Sequence, residues 1–214
     1  MEEVSRKMYL SDIAYLKIKD LIIRDELSGP IVSESELATL LNMSRTPIRE
    51  ALNRLQNDEF LEVYPKRGIY IKEMTVSETN DLMNVRLAIE LFSMDKIGDV
   101  FQNHDLDYLE NKVVEQEVAM GNEDIFNFIK LDLDYHEYLL KVTGNQYFVK
   151  TLNNVNDRIY HHGMKMFKRD LSRIQMSIDD HKVINGHLKN RDFTEARHAL
   201  EQHIQTGKKQ YLTR

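Results

Sequence analysis

The stretch Ser44-Arg-Thr-Pro-Ile-Arg-Glu-Ala-Leu-Asn-Arg-Leu55 decides how the first third of this chain folds. Ile48, Leu52 and Leu55 recur at steps of three and four and share one helical face, while Arg45 and Arg49, four apart, share another. Pro47 is tolerated because first-turn amides have no partner inside a helix, and Ser44 or Thr46 can cap the start. Just before it, Ser33-Glu-Ser-Glu36 has the S-x-x-E form of a capping box and opens a shorter helix through Leu41. Asn42-Met-Ser44 is a tight turn between the two. The pair reads as a helix-turn-helix.

Upstream, Ile13, Leu16, Ile18, Leu21 and Ile22 mark a first amphipathic helix that Leu27-Ser-Gly-Pro30 ends. Downstream, Leu61-Glu-Val-Tyr-Pro-Lys-Arg-Gly-Ile-Tyr-Ile71 sets two short β-prone runs around Pro65-Lys-Arg-Gly68, a hairpin signal. A hairpin after such a helix pair makes a winged helix. Between Asn42 and Lys72 six basic residues face four acidic ones, a local excess of +2 in a chain of net charge −6. A phosphate backbone responds to local charge within a Debye length. Arginines at the start of the third helix suit bidentate donation to guanine in the major groove, and Thr46 can reach a phosphate or base edge. Charge pattern alone is better explained by a solvated arginine face. Pattern, capped turn and hairpin together favour DNA.

The chain has 214 residues, 42% hydrophobic and 30% charged, enough to bury a sizeable core in two modest domains. No apolar run is long enough to span a bilayer, and the first residues lack the basic-then-apolar layout of a signal peptide, so a cytoplasmic protein without membrane partners is expected. Without cysteine there are no disulfides or thiolate metal sites.

All three prolines, Pro30, Pro47 and Pro65, fall before Met74, and the chain changes character there. Afterwards apolar residues recur at helical steps, as in Leu82, Val85, Ile89 and Phe92, and again in Ile125, Phe128, Ile129, Leu133 and Leu140. Gly98, Gly121 and Gly144 each follow a periodic stretch where a left-handed residue would end a helix; Gly163, Gly186 and Gly207 are weaker boundaries. The expected architecture is mainly α: a winged helix-turn-helix over residues 1–74 and an antiparallel bundle of six or seven helices over 75–214.

Eight histidines occur. Asp132 and His136 are four apart on one helical face; His181 lies on the stripe Ile174, Ile178, Ile184, Leu188; His203 lies with Ala196, Ala199 and Leu200. Each histidine alone is better read as a satisfied core residue. Three pointing inward beside one carboxylate are more easily satisfied by a shared cation.

The winged-helix residues carry a resemblance. Ser33-Glu-Ser-Glu-Leu-Ala38, Met43-Ser-Arg-Thr-Pro-Ile-Arg-Glu-Ala-Leu52, Arg54-Leu55 and Pro65-Lys-Arg-Gly68 resemble the signature of the GntR family of bacterial transcription regulators. The likeness runs from about Ala14 to Ile71. It implies a homodimer on a palindromic operator, with Arg45, Thr46 and Arg49 in the major groove, Ser44 also at the DNA, and Lys66, Arg67 and Gly68 in a wing against the backbone or minor groove. Ser35 stands where many relatives have a DNA-contacting arginine, and Ser-Gly-Pro-Ile replaces their usual Leu-x-Pro-Gly loop, so operator sequence does not carry over.

The C-terminal part resembles the FCD effector domain of FadR-like GntR regulators. Asp132-Leu-Asp-Tyr-His136 is similar to the family's Asp-x-x-Phe-His, followed by Gly144-Asn145; Asp180-His181 is read as starting one late helix, Arg191-Asp192 as a turn, and His203 as lying in the last helix. The resemblance implies that Asp132, His136, His181 and His203 hold Zn²⁺, Ni²⁺ or Mn²⁺. An open metal can bind a carboxylate effector, with Arg86 on Asn84-Val-Arg-Leu-Ala-Ile-Glu90 clamping its other end and Arg158 as second candidate. Either arginine can instead pair with an acid such as Glu90.

Three functional classes are open: a metal-containing, acid-responsive repressor; a DNA-binding regulator whose metal is structural or itself the signal; and a metalloenzyme, since such a site could activate water. The last lacks a further general base at a recognisable spacing and leaves the winged helix unexplained, so no enzyme is expected. Dimerisation is placed in the effector domain, where Met164, Met166 and Phe167 could face a partner, with core packing the competing reading.

Overall fold

The computed structural model describes residues 8–27, 29 and 31–212, apart from the side chains of residues 165 and 169. The chain divides into two compact units, the first ending at Glu73 and the second beginning at Met74. Of the expected turn Leu27-Ser-Gly-Pro30, Ser28 and Pro30 lie outside the described residues.

The first unit holds α1 (Leu10–Ile23), β1 (Ile31–Val32), α2 (Glu34–Leu41), α3 (Arg45–Asn57), β2 (Leu61–Tyr64) and β3 (Gly68–Ile71). The capping box forms: the Glu36 amide donates to Ser33 Oγ at 3.1 Å, and the Ser33 amide to Glu36 Oε2 at 2.6 Å. Asn42 ends α2 in the left-handed region, φ 52°, which its short polar side chain tolerates. Ser44 takes the N-cap position of α3, but its hydroxyl makes no capping bond. The reason is Pro47: the third helical residue, whose amide a serine cap would engage, has no N–H. Ile48, Leu52 and Leu55 are at most 1% exposed and pack with Ala14, Ile18 and Ile22 of α1. Each contributes about 1.5–3 kcal/mol of burial.

The wing is a three-stranded antiparallel sheet in the order β1-β3-β2, with Val63 opposite Ile69 and Val32 opposite Ile69 on the other edge. β1 was not foreseen, since two residues carry no alternation. At the hairpin turn Lys66 has φ 64°, and the Arg67 amide donates to the Tyr64 carbonyl at 3.0 Å. Gly68 is demanded twice over. Its φ is 109°, and a Cβ there would stand 3.0 Å from Ile31 Cγ2 and 3.2 Å from the Val32 carbonyl oxygen.

The second unit, among the described residues, is six helices: α4 (Val76–Ile97), α5 (Asn103–Gly121), α6 (Ile125–Val142), α7 (Gln146–Arg169), α8 (Ser172–Lys189) and α9 (Phe193–Leu212). α9 packs on α4 and α8, α6 on α5 and α7, and α5 on α8. Of the three glycines read as left-handed stops only Gly144 is one, at φ 72°. Gly98 is right-handed at φ −58°, and Glu123 at φ 56° serves after Gly121. Gly163, Gly186 and Gly207 lie inside α7, α8 and α9. Asp180 and His181 sit in the middle of α8, not at its start, because the Asp170 carboxylate caps that segment earlier, at Ser172.

Val85 and Phe92, two of the apolar residues that mark α4 by their helical spacing, are 38% and 51% exposed; α4 buries Met83, Arg86, Glu90, Leu91 and Met94. Met164, Met166 and Phe167 are buried within the unit itself, so they do not offer a face to a partner. No helix among the described residues is long and apolar enough to cross a membrane.

Candidate metal centre and DNA-binding face

Three helices of the bundle bring four side chains to one point. Asp132 and His136 come from one face of α6, His181 from α8 and His203 from α9. Their ligand atoms all lie within 4.8 Å of one another. His136 Nε2 is 3.1 Å from His203 Nε2 and 3.3 Å from His181 Nε2, and Asp132 Oδ1 is 3.7 Å from His181 Nε2. The Asp132 carboxylate is oriented by Ser177, whose hydroxyl donates to Oδ1 at 2.8 Å. Tyr135 stacks on His181 with ring centroids 4.1 Å apart and gives its hydroxyl to Asn185 at 2.8 Å.

Behind each imidazole stands an oxygen. His136 Nδ1 is 2.6 Å from Glu90 Oε2, His181 Nδ1 is 2.9 Å from Gln116 Oε1, and His203 Nδ1 is 3.1 Å from Asp180 Oδ2. An acceptor at Nδ1 draws the proton there and leaves the Nε2 lone pair facing inward. Three lone pairs converging at such distances repel unless a cation lies among them. Burial holds the His136 and His181 imidazoles well below their ordinary value of 6.5, helped by the Arg86 charge at His136 and by His203 at His181. Both are therefore neutral, which is the ligand form. Three imidazole nitrogens and one carboxylate oxygen fit a borderline divalent ion such as Zn²⁺, Ni²⁺ or Mn²⁺.

Beside the cluster opens a narrow cleft, with a cavity volume of about 40 Å³, lined by Arg86, Asp132, Arg173, Ser177, His203 and Tyr211 among others. Arg86 is buried, and its Nε donates to Glu90 Oε1 at 2.7 Å. Its Nη2 lies 4.0 Å from Asp132 Oδ2 and has no hydrogen-bond partner. Burial works against the Arg86 charge, but Glu90 and Asp132 outweigh it and keep the guanidinium protonated. An unsatisfied buried donor at the rim of a cleft is what an anionic ligand would use. Arg158 is placed elsewhere: its Nη2 donates to Glu78 Oε1 at 3.0 Å, and it is not among the residues around the cleft. The sequence offered both arginines alike because one chain alone shows no pairing.

The pairing of Arg86 with Glu90, offered by the sequence as an alternative to effector binding, is present. The contacts of Glu90, Gln116, Asp180 and Ser177 with the cluster were missed by sequence reasoning; Gln116, on α5, had no signal.

In the first unit Arg45, Thr46 and Arg49 are exposed on the first turns of α3, with Ser44 exposed just before them. Arg45 Nη2 donates to Ser35 Oγ at 3.2 Å, and Arg49 Nε donates to Glu34 Oε2 at 2.8 Å. Lys66 and Arg67 are exposed at the tip of the wing, with Gly68 partly covered behind them. Arg54 is turned away, donating to Asp12 Oδ1 at 2.6 Å and lying 4.2 Å over the Tyr15 ring.

Comparison with known proteins accounts for both units. A family model described as bacterial regulatory proteins, gntR family, matches residues 10–71, and a model of the FCD domain matches residues 81–206. The chain is 26% identical over 193 residues to the HTH-type transcriptional regulator YdhC of Bacillus subtilis (strain 168), across 89% of this chain and 84% of that one. It is 26% identical over 180 residues to the HTH-type transcriptional repressor RspR of Escherichia coli (strain K12), across 83% and 77%. Its fold is similar to that of E. coli McbR/YncC, with a TM-score of 0.78 at 19% identity over 94% of this chain and 95% of that one. With the FCD match alone spanning more than half its length, this chain belongs to the gntR family of bacterial regulatory proteins, as a DNA-binding transcription regulator that carries an FCD domain.

Proposed function

We propose that this regulator is a repressor that binds a palindromic operator as a homodimer and releases it in response to a small organic acid read at a metal-containing site. In this reading residues 1–74 form the DNA-binding domain and 75–214 the sensing domain. The observation that carries it is the convergence of Asp132, His136, His181 and His203 beside a cleft into which Arg86 presents an unpartnered Nη2.

The four side chains would hold a divalent transition metal, which when bound supplies an electrophilic centre for a carboxylate oxygen. Arg86 would clamp the acid's other end through a charge-assisted hydrogen bond, and Ser177 keeps Asp132 in place. A ligand bound here touches α4, α6, α8 and α9 at once. It changes DNA binding only if it prefers one arrangement of the paired recognition helices over the other. Arg45, Thr46 and Arg49 would read base edges, Ser44 would approach the backbone, and Lys66, Arg67 and the Gly68 turn would lie against the flanking backbone or minor groove. A second copy would cover the exposed Val85 and Phe92 on α4.

Native mass spectrometry of protein from its own host tests the metal, any retained acid and the dimer together, with anisotropy on its own promoter fragment as the DNA readout. A metal-bearing dimer whose operator affinity falls when a carboxylate is added supports the reading. A metal-bearing protein indifferent to every carboxylate tried, and released from DNA by chelation alone, would replace it with one in which the metal is the signal. A Phe92→Glu variant that stays dimeric would reject the proposed interface.

A further inference from the structure

We infer that Glu90 is the positioning residue of the metal centre, holding His136 in the tautomer that aims its Nε2 into the cluster while sharing Arg86 with the adjoining cleft. The inference rests on the metal-binding reading above and goes beyond it by assigning a role to a residue that touches neither metal nor DNA.

His136 is the hub of the cluster, since its Nε2 lies within 3.3 Å of both other imidazole nitrogens. Glu90 is 1% exposed, and its two oxygens have separate tasks: Oε2 faces His136 Nδ1 at 2.6 Å and Oε1 accepts from Arg86 Nε at 2.7 Å. The other two imidazoles are held less firmly. Gln116 offers His181 a neutral amide oxygen, and Asp180, whose side chain is 42% exposed, faces His203 at 3.1 Å. Among the three, only the Glu90 link sets an imidazole against a fully buried carboxylate.

A carboxylate is needed at this position because both neighbours are donors. The guanidinium has no acceptor, and His136 must give its Nδ1–H outward to keep Nε2 free. Glutamine has the same shape but only one acceptor. If its oxygen serves Arg86, its NH₂ meets Nδ1 and forces the imidazole proton onto Nε2, the side the metal needs. If its oxygen serves His136, the NH₂ meets the Arg86 guanidinium. Either arrangement breaks the chain Arg86–Glu90–His136. Outer partners of this kind change metal affinity by about 10- to 100-fold.

The test is a Zn²⁺ titration of the full chain against a chromophoric chelator, wild type beside Glu90→Gln, with circular dichroism to confirm folding. The expected result is a 10- to 100-fold weaker Zn²⁺ affinity in a folded variant. Equal affinity would overturn the inference and leave the metal centre standing. A wild type that binds no Zn²⁺ would overturn the metal centre itself. Should Glu90→Gln fail to fold, long-range ¹H–¹⁵N spectra of the metal-free wild type decide: His136 protonated on Nδ1 supports the role, and His136 protonated on Nε2 overturns it.

Discussion

Arg49 Nε lies 2.8 Å from Glu34 Oε2, so an arginine at the start of the recognition helix is paired with the first residue of the helix before it. The Arg49 side chain is 62% exposed and can leave this partner for DNA. Glu34 then discourages indiscriminate phosphate contact, because its carboxylate must be displaced. Glu34→Gln should therefore raise affinity for random duplex and steepen the log K against log salt slope by about 0.9, the value of one released cation. Arg49→Ala should weaken operator binding by about 1–3 kcal/mol. Fluorescence anisotropy over a salt series measures both, and an unchanged slope in Glu34→Gln would show the pair to be idle.

Metal removal should loosen the bundle, because the site draws on α6, α8 and α9 together. A ligand present at a hundred times its Kd stabilises the folded state by about 2.7 kcal/mol. Thermal melts with and without chelator should differ accordingly for wild type. His203→Ala should remove the difference, along with the metal seen by elemental analysis. A chelator effect that persists in that variant would place the metal elsewhere.

Acid should destabilise the metal-free protein over a definite range. His136 and His181 are held by burial well below their ordinary value of 6.5, so above that value both states are neutral and stability is full. As pH falls through 6.5 the unfolded chain takes up protons that the folded chain refuses, and stability is lost until the lower folded values are reached. The slope is at most about 1.4 kcal/mol per pH unit for each histidine. Glu90, pushed up by burial against the pull of Arg86, acts in the opposite sense as it protonates. Urea midpoints between pH 7.5 and 5.5 should fall, and a His136→Gln, His181→Gln double variant should flatten the trend.

What the sequence revealed follows from which forces leave a periodic mark. Ile48, Leu52 and Leu55 were legible because apolar residues at helical spacing bury one face, and the inward histidines were legible because they interrupt such stripes. The buried face of α4 was not legible, for the converse reason. It carries Arg86 and Glu90, which hydropathy assigns to solvent, and which are buried because they satisfy one another and His136. Pairing between distant segments leaves no trace at any fixed spacing, so Gln116 and Asp180 behind the imidazoles were invisible. Residue type alone offers Ser44 or Thr46 as a cap; Ser44 takes the position, and the missing amide of Pro47 shows that a capping bond needs both partners.

The two arginines that the sequence offers to the effector should separate cleanly. Arg86 faces the cleft with an unpartnered Nη2, whereas Arg158 is engaged by Glu78. Arg86→Lys keeps a cation beside Glu90 but loses the guanidinium fork, so carboxylate-dependent release from DNA should need at least about tenfold more acid, the cost of roughly 1.4 kcal/mol in binding. Arg158→Gln should leave that dose unchanged. The reverse pattern would move the acid site away from the cleft.

The wing depends on Gly68 for its third strand. Alanine there must hold φ near 109° and push against both Ile31 Cγ2 and the Val32 carbonyl, the two residues of β1. Backbone strain of this kind costs about 1–3 kcal/mol. The contacts that hold β1 to β3 would be the first to yield, since the hairpin of β2 and β3 is longer and closed by its own turn. Gly68→Ala should therefore lower the melting temperature of the first unit and speed hydrogen exchange at Ile31 and Val32, while the Leu61–Ile71 hairpin keeps its protection. Because Lys66 and Arg67 are carried on that turn, operator affinity should fall with a shallower salt dependence, as wing contacts to phosphate are lost. Unchanged exchange at Val32 would mean that the strand tolerates the added methyl and that the glycine serves DNA contact alone.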